Sequence, residues 1–90
     1  MSVKVRFSPL LQQFTQGQDS VEAAGNNVGD CLESLERRFP GIKKLLCDER
    51  GQLSSAWDIY VNSYSSYPEG LAKPVKEGDE LAIVFLLGGG

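Results

Sequence analysis

The sequence predicts an α+β domain in which a mixed sheet of four or five strands packs on one main helix. Four segments alternate apolar and polar residues, which is the period of a half-buried strand. One segment between them carries apolar residues at the spacing of a helix. The length of 90 residues suits a single domain with a small core.

The first predicted strand lies near the beginning of the chain and the last one near its end. The segments at 3–7 and 19–23 form an antiparallel pair joined by a loop at 8–18, and a short strand near 64–67 would raise the total from four to five. The residues expected to face inward are Val3, Val5 and Phe7, then Val21 and Ala23, then Trp57, Ile59 and Val61, and last Leu81, Ile83 and Phe85.

The main helix is predicted to begin after Asn26-Asn27, a good N-cap signal, and to end at Pro40-Gly41. Its apolar stripe consists of Val28, Cys31, Leu32, Leu35 and Phe39. The stripe covers one face of the sheet and makes Cys31 a core residue. Val84 and Leu86 point to the other face, and an exposed apolar patch near a chain end is typical of a partner surface.

Composition excludes several classes of function. The net charge of −3 and the absence of a long basic run argue against nucleic-acid binding. The chain has no histidine, which removes Ser-His and Cys-His pairs, and no phosphate-binding glycine loop. Cys31 and Cys47 alone cannot form a zinc site, and Cys47 has no evident activating neighbour. With no apolar signal core or membrane-length run, we expect a cytoplasmic protein with reduced thiols.

The chain ends in three glycines, Gly88-Gly89-Gly90. At a glycine usage of ~7 %, three in a row occur by chance in roughly 0.03 % of cases. We therefore expect a domain at 1–87 and a flexible tail at 88–90. Glycine has no Cβ, so such a tail passes through a narrow channel without a side-chain clash and presents the Gly90 carboxylate to another protein.

Several short motifs accompany this tail and give the chain a family resemblance. They are Val3-Lys4-Val5-Arg6-Phe7, Val28-Gly29, Val61-Asn62, Gly78-Asp79-Glu80 and Gly89-Gly90. With them the chain resembles the MoaD/ThiS family of ubiquitin-like sulfur carriers, which share the β-grasp fold. The segments 59–62, 70–71 and 74–75 look most like the CysO branch, which passes sulfur to a cysteine-synthase-like enzyme.

The resemblance implies a carrier and not an enzyme. A MoeB/ThiF-type adenylyltransferase would use ATP to adenylate Gly90, next to Gly89, and sulfur would then convert it to a thiocarboxylate. The carrier itself would bind no cofactor and no metal. The implied partner-contact residues are Val84, Leu86, Leu87 and Gly88, with Tyr64 as a further candidate by position. Some relatives are trimmed to the terminal glycines by a metalloprotease.

Two alternatives use the same tail. A ubiquitin-like modifier would be joined through Gly90 to lysines, and a small subunit of a molybdopterin-synthase-like enzyme would stay bound to a large subunit. Three glycines replace the commoner two, and Phe85-Leu86-Leu87 stands where many carriers have prolines. Both departures affect the choice of partner.

Overall fold

A computed structural model describes residues 2–86; Met1 and residues 87–90 lie outside it, and with them the predicted boundary between domain and tail. The elements are β1 (Ser2–Phe7), a 3₁₀ helix (Pro9–Gln13), β2 (Ser20–Ala24), α1 (Val28–Arg38), α2 (Ile42–Leu46), β3 (Trp57–Val61), β4 (Tyr64–Ser65), a second 3₁₀ helix (Gly70–Ala72) and β5 (Glu80–Phe85). Neither α-helix of this described part has the length and apolarity that crossing a bilayer requires.

The five strands form one mixed sheet in the order β2-β1-β5-β3-β4. The central pair, β1 and β5, is parallel, with Val5 opposite Leu81. All other neighbours are antiparallel; Val5 also lies opposite Val21, and Ile59 opposite Ile83. This register places the predicted inward residues side by side under α1, so the mixed sheet on one main helix is confirmed.

Helix α1 has the predicted beginning, end and buried stripe. The side chain of Asn27 accepts a hydrogen bond from the backbone N–H of Asp30 at 2.7 Å, which satisfies one of the free donors of the first turn. The helix ends at Arg38, two residues before Pro40. Its apolar stripe is buried against the sheet, and each of the fully buried Leu32 and Leu35 side chains contributes about 1.5–3 kcal/mol.

The segment 8–18 is more ordered than the predicted loop. Pro9 opens a 3₁₀ helix that places Leu11 fully inside the core. Thr15 is also fully buried, and its hydroxyl donates to the carbonyl of Gln18 at 2.7 Å. The buried Leu11 and a set of hydrogen bonds within the segment hold it in place, and neither produces a periodic pattern in the sequence.

Helix α2 was not predicted. It buries Ile42 and Leu46, four positions apart, against the core. The carboxylate of Glu36 accepts from the backbone N–H groups of Gly41 and Lys43, each at 2.9 Å, and this caps the beginning of α2. Gly41 has φ +101°, a left-handed conformation that favours glycine and turns the chain between the two helices.

Candidate functional site

The backbone is anchored where it leaves β5. The N–H of Leu86 donates to the carbonyl of Ala56 at 2.8 Å. Ala56 directly precedes β3, the antiparallel neighbour of β5. The Leu86 side chain is 39 % exposed. The sheet therefore holds Leu86 at a defined place on the surface, four residues before Gly90.

An aromatic pair supports the same place. The rings of Phe85 and Trp57 meet edge to face, with centroids 5.0 Å apart and planes at 62°. Trp57 is buried, as expected for a residue at the edge of the core, whereas Phe85 is 36 % exposed. Phe85 thus lies on the predicted face but at its margin, where the core meets solvent.

The outer face of β5 is only partly covered. Ala82 and Val84 are half-buried there. They line a shallow depression of ≈ 640 Å³ together with Tyr60 and Glu80. Glu80 pairs with Arg6 at 3.1 Å, so a charged pair borders the apolar surface.

The predicted contact residues do not all come together. Val84 and Leu86 lie at the end of β5, whereas Leu87, Gly88, Gly89 and Gly90 lie outside the described residues. Tyr64 lies at the opposite end of the sheet. It pairs with Val61, which in turn pairs with Leu81 at the beginning of β5. Five residues of extended chain, about 16 Å, separate that position from Leu86.

A groove beside Leu86 was missed by the sequence reasoning. We call it the tail-root groove; its volume is ≈ 390 Å³. Its apolar side chains are Leu53, Trp57, Tyr67, Pro68 and Leu86, and its charged side chains are Asp58 and Glu69. The Tyr67 ring is 82 % exposed. The only sequence signal was Tyr67-Pro68 after a short strand, because the groove forms where three separated parts of the chain meet, at 52–58, 66–70 and 86.

Two motifs of the family resemblance form a brace at the beginning of β5. The side-chain amide of Asn62 donates to Asp79 at 2.9 Å, and its oxygen accepts from the backbone N–H of Glu80 at 3.0 Å. The other Asp79 oxygen accepts from the N–H of Lys76 at 2.9 Å. The Asn62 amide, and then the Lys76 N–H, lower the pKa of Asp79 because both stabilise the carboxylate. These residues stabilise the turn rather than take part in the tail site.

The segments 28–29 and 70–75, two further motifs of the family resemblance, pack against each other at the beginning of α1. The N–H of Val28 donates to the carbonyl of Lys73 at 2.9 Å, and that of Val75 to Asn26 at 3.0 Å. A Cβ on Gly29 would lie 3.2 Å from the carbonyl oxygen of Leu71. Glycine at position 29 therefore lets this loop approach the first turn of α1 closely.

Neither cysteine is placed for nucleophilic chemistry. Both thiols are free. Cys31 is fully buried, which confirms its place in the core, and this burial raises the pKa of its thiol to about 11. Burial also raises the pKa of Cys47, although Lys43 acts in the opposite direction. Within residues 2–86, no group of three or more His, Cys, Asp or Glu side chains is arranged to hold a metal ion.

A mixed sheet in this order on one main helix, with an exposed leucine directly after its last strand and three glycines at the chain end, is typical of small ubiquitin-like carriers and modifiers. Within that class, the chain belongs to the ThiS family. The family match covers residues 5–90 and therefore includes all three glycines.

Three individual proteins are similar to this chain over nearly its whole length. The sulfur carrier protein CysO of Mycobacterium tuberculosis is 34 % identical over 93 residues, which cover all of both chains. A chain of the Amycolatopsis orientalis BexX/CysO complex matches with a TM-score of 0.89 and 36 % identity, covering 98 % of this chain and 99 % of that one. Small archaeal modifier protein 1 of Methanosarcina acetivorans matches with a TM-score of 0.82 and 28 % identity, covering 99 % and 96 %.

These comparisons confirm two expectations. The fold is the ubiquitin-like β-grasp, and the chain is a full-length homologue of CysO sulfur carriers within the ThiS/MoaD family. The predicted site residues Gly89 and Gly90 lie outside the described residues, and the structure describes the strand β5 and the surface around Leu86 that precede them.

Proposed function

We propose that this protein is a sulfur carrier whose Gly90 is adenylated by a partner enzyme and converted to a thiocarboxylate. The observation that carries this proposal is the family match across residues 5–90, which includes the glycines next to the anchored strand end. The full-length likeness to CysO sulfur carriers supports it. The protein then acts as a co-substrate, and the partner supplies the catalytic residues.

The chemistry requires activation of the chain end. A carboxylate is a poor acyl donor because oxide is a bad leaving group. Attack of the Gly90 carboxylate on the α-phosphorus of ATP gives an acyl-adenylate and releases pyrophosphate. A sulfur nucleophile then displaces AMP from the carbonyl carbon and leaves a thiocarboxylate at Gly90. Transfer of that sulfur to an acceptor, followed by hydrolysis, restores the carboxylate.

The anchored strand end and the tail length suit this reaction. Leu86 is held by its hydrogen bond to Ala56, and four further residues span at most about 14 Å. Gly89 and Gly90 add no side chains, so they pass through a narrow channel of the partner. We assign the contacts with the partner to Val84, Leu86, Leu87 and Gly88. Tyr64 lies at the other end of the sheet, so a partner contacts it only if the interface extends across the whole sheet.

The partners follow from the family resemblance. A MoeB/ThiF-type adenylyltransferase binds ATP and activates Gly90, and a cysteine-synthase-like enzyme accepts the sulfur in the cytoplasm. A metalloprotease trims the tail or releases the product. The likeness to CysO favours cysteine biosynthesis over the other sulfur pathways of the family.

The test is the intact mass of the protein, with C-terminal fragmentation, after incubation with an adenylyltransferase, ATP and a sulfide source. Replacement of one oxygen by sulfur at Gly90 is the expected result. Fragmentation is needed because oxidation of Met1 or a cysteine changes the mass by nearly the same amount. No change at Gly90 in a reaction that loads a known carrier would contradict the proposal.

A second candidate function is that of a protein modifier. The likeness to small archaeal modifier protein 1, at 28 % identity over nearly the whole chain, favours it. Gly90 would then form an isopeptide bond with lysine side chains of other proteins. Lysine-linked adducts of Gly90 in peptide digests of cells would support this function. A large subunit that co-purifies stably would instead indicate the third alternative, a molybdopterin-synthase-like enzyme.

A further inference from the structure

We propose that the tail-root groove binds an arginine side chain of the partner that activates Gly90. This inference rests on the proposed function, because it identifies the partner's chemistry at the same site. The groove has a volume of ≈ 390 Å³ and lies between the end of β5, the beginning of β3 and the loop after β4. That volume is sufficient for one long side chain.

The position of the groove determines which protein can reach it. Leu86 lines the groove and is also the last described residue before the tail. Gly90 lies at most about 14 Å from Leu86 along the chain. A protein that holds Gly90 in its active site therefore covers the surface around Leu86, and the groove opens onto that surface.

The charge of the groove calls for a cation. Asp58 and Glu69 are the charged residues among those that line it. The carboxylate of Asp58 accepts from the Ser65 hydroxyl and the N–H of Ile59, each at 2.7 Å, and from the Ser66 hydroxyl at 3.5 Å. Glu69 faces Lys73 at 3.9 Å, a partly exposed pair of little strength. A carboxylate has about four lone-pair sites, so Asp58 retains about one free site after its three hydrogen bonds, and Glu69 retains more.

The apolar wall favours arginine over lysine. The Tyr67 ring is 82 % exposed, and the groove is also lined by Pro68 and by Trp57, which is 7 % exposed. A guanidinium stacks on an aromatic face while its N–H groups donate to carboxylates in its own plane. An ammonium is more strongly hydrated and has no planar face to stack. A groove that combines two carboxylates with an exposed tyrosine therefore suits a guanidinium.

The first test measures activation by a MoeB/ThiF-type adenylyltransferase, through ATP–pyrophosphate exchange at increasing concentrations of the full-length carrier. The double variant Asp58→Asn with Glu69→Gln should raise the KM for the carrier about tenfold and leave kcat unchanged. The oxygen of asparagine at position 58 still accepts from the N–H of Ile59, and its amide group donates to the Ser65 hydroxyl, which reverses the direction of that hydrogen bond. Because the lost contacts are ionic, the KM of the wild type should rise with salt more steeply than that of the variant.

Matched controls separate the groove from general charge. Asp19→Asn with Glu77→Gln removes the same net charge at exposed positions outside the groove and should leave KM unchanged. Tyr67→Leu should raise KM about fivefold through loss of the aromatic face. Phe14→Leu, a similar change at an exposed aromatic residue elsewhere, should not raise KM. Equal KM values in the groove variants and their controls would overturn the proposal.

The second test does not depend on activation. Trp57 is the only tryptophan, so its indole N–H gives a unique NMR signal. N-acetyl-arginine amide at millimolar concentration should shift that signal in the wild type and not in the Asp58→Asn, Glu69→Gln variant. An equal shift with N-acetyl-leucine amide, or no shift at all, would overturn the assignment. If the enzyme exchanges nothing with the wild type, the proposed function fails, and this titration still decides whether the groove binds a guanidinium.

Discussion

Trp57 and Phe85 meet edge to face across the antiparallel strands β3 and β5, at the last pair of their shared register. The pair closes the core at the end of the sheet where the tail begins. The neighbouring hydrogen bond from Leu86 to Ala56 fixes the backbone at the next residue. Core packing at this end of the sheet and the position of Leu86 therefore depend on two adjacent contacts.

Replacing Phe85 with alanine should lower the free energy of unfolding by about 2 kcal/mol, because it removes a partly buried ring and its contact with Trp57. Chemical denaturation followed by Trp57 fluorescence measures this change. The control Tyr64→Ala, at a residue 76 % exposed, should change stability by less than about 0.5 kcal/mol. An equal loss in both variants would mean that the aromatic pair does not stabilise the strand end.

Replacing Asp79 with asparagine should cost about 1 kcal/mol at neutral pH, because the new amide group would point a donor at either the Asn62 amide or the Lys76 N–H. The folded-state pKa of Asp79 is below its unfolded value of about 3.9. Its contribution is therefore present above that pH and is lost as the pH falls through the folded pKa. The stability difference between wild type and variant should shrink below about pH 4.

Denaturation midpoints across this pH range test the Asp79 prediction. Glu36 and Asp48 also have lowered pKa values, because backbone N–H groups donate to their carboxylates. Both are present in wild type and variant, so their effects cancel in the difference. Asp19→Asn serves as a control at an exposed position. A difference that stays constant with pH would contradict the role given to the Asn62–Asp79 brace.

Replacing Leu86 with glutamate should weaken activation by the partner and leave the fold intact. The leucine is 39 % exposed, and a charge at a buried contact costs about tenfold or more in KM for the carrier. Leu45→Glu on α2, at 38 % exposure, is the matched control and should activate normally. If both variants were activated as well as the wild type, the end of β5 would not be the contact surface.

Deleting Gly89 and Gly90 should abolish sulfur loading, because the chain would then end in Leu87-Gly88 and fall short of the partner's active site. Stability should change by less than about 0.5 kcal/mol, since glycine has no side chain to pack. Deleting Gly88 alone restores a tail of two glycines and should preserve loading. Intact mass measures sulfur loading, and thermal unfolding measures stability. Loading of the variant that lacks Gly89 and Gly90 would exclude Gly90 as the essential terminus.

The amino-acid sequence by itself determined the strands and the main helix, and it predicts a glycine tail that lies outside the described residues. Alternation at Val3, Val5 and Phe7 and the stripe that follows Asn27 are local patterns, so they can be read without knowing what packs against them. The three glycines likewise indicate their chemistry without any structure. The sulfur-carrier function followed from the family resemblance and not from these local patterns.

Only the tertiary structure decided which residues surround the root of the tail. Register across β3 and β4 places Tyr64 at the far end of the sheet and leaves Tyr67 beside Leu86, a relationship that no local pattern contains. Helix α2 and the buried Leu11 depend in the same way on one or two contacts with the core. These features depend on contacts between segments that are distant in the sequence. Such contacts stabilise them only once the sheet has formed, so no local pattern predicts them.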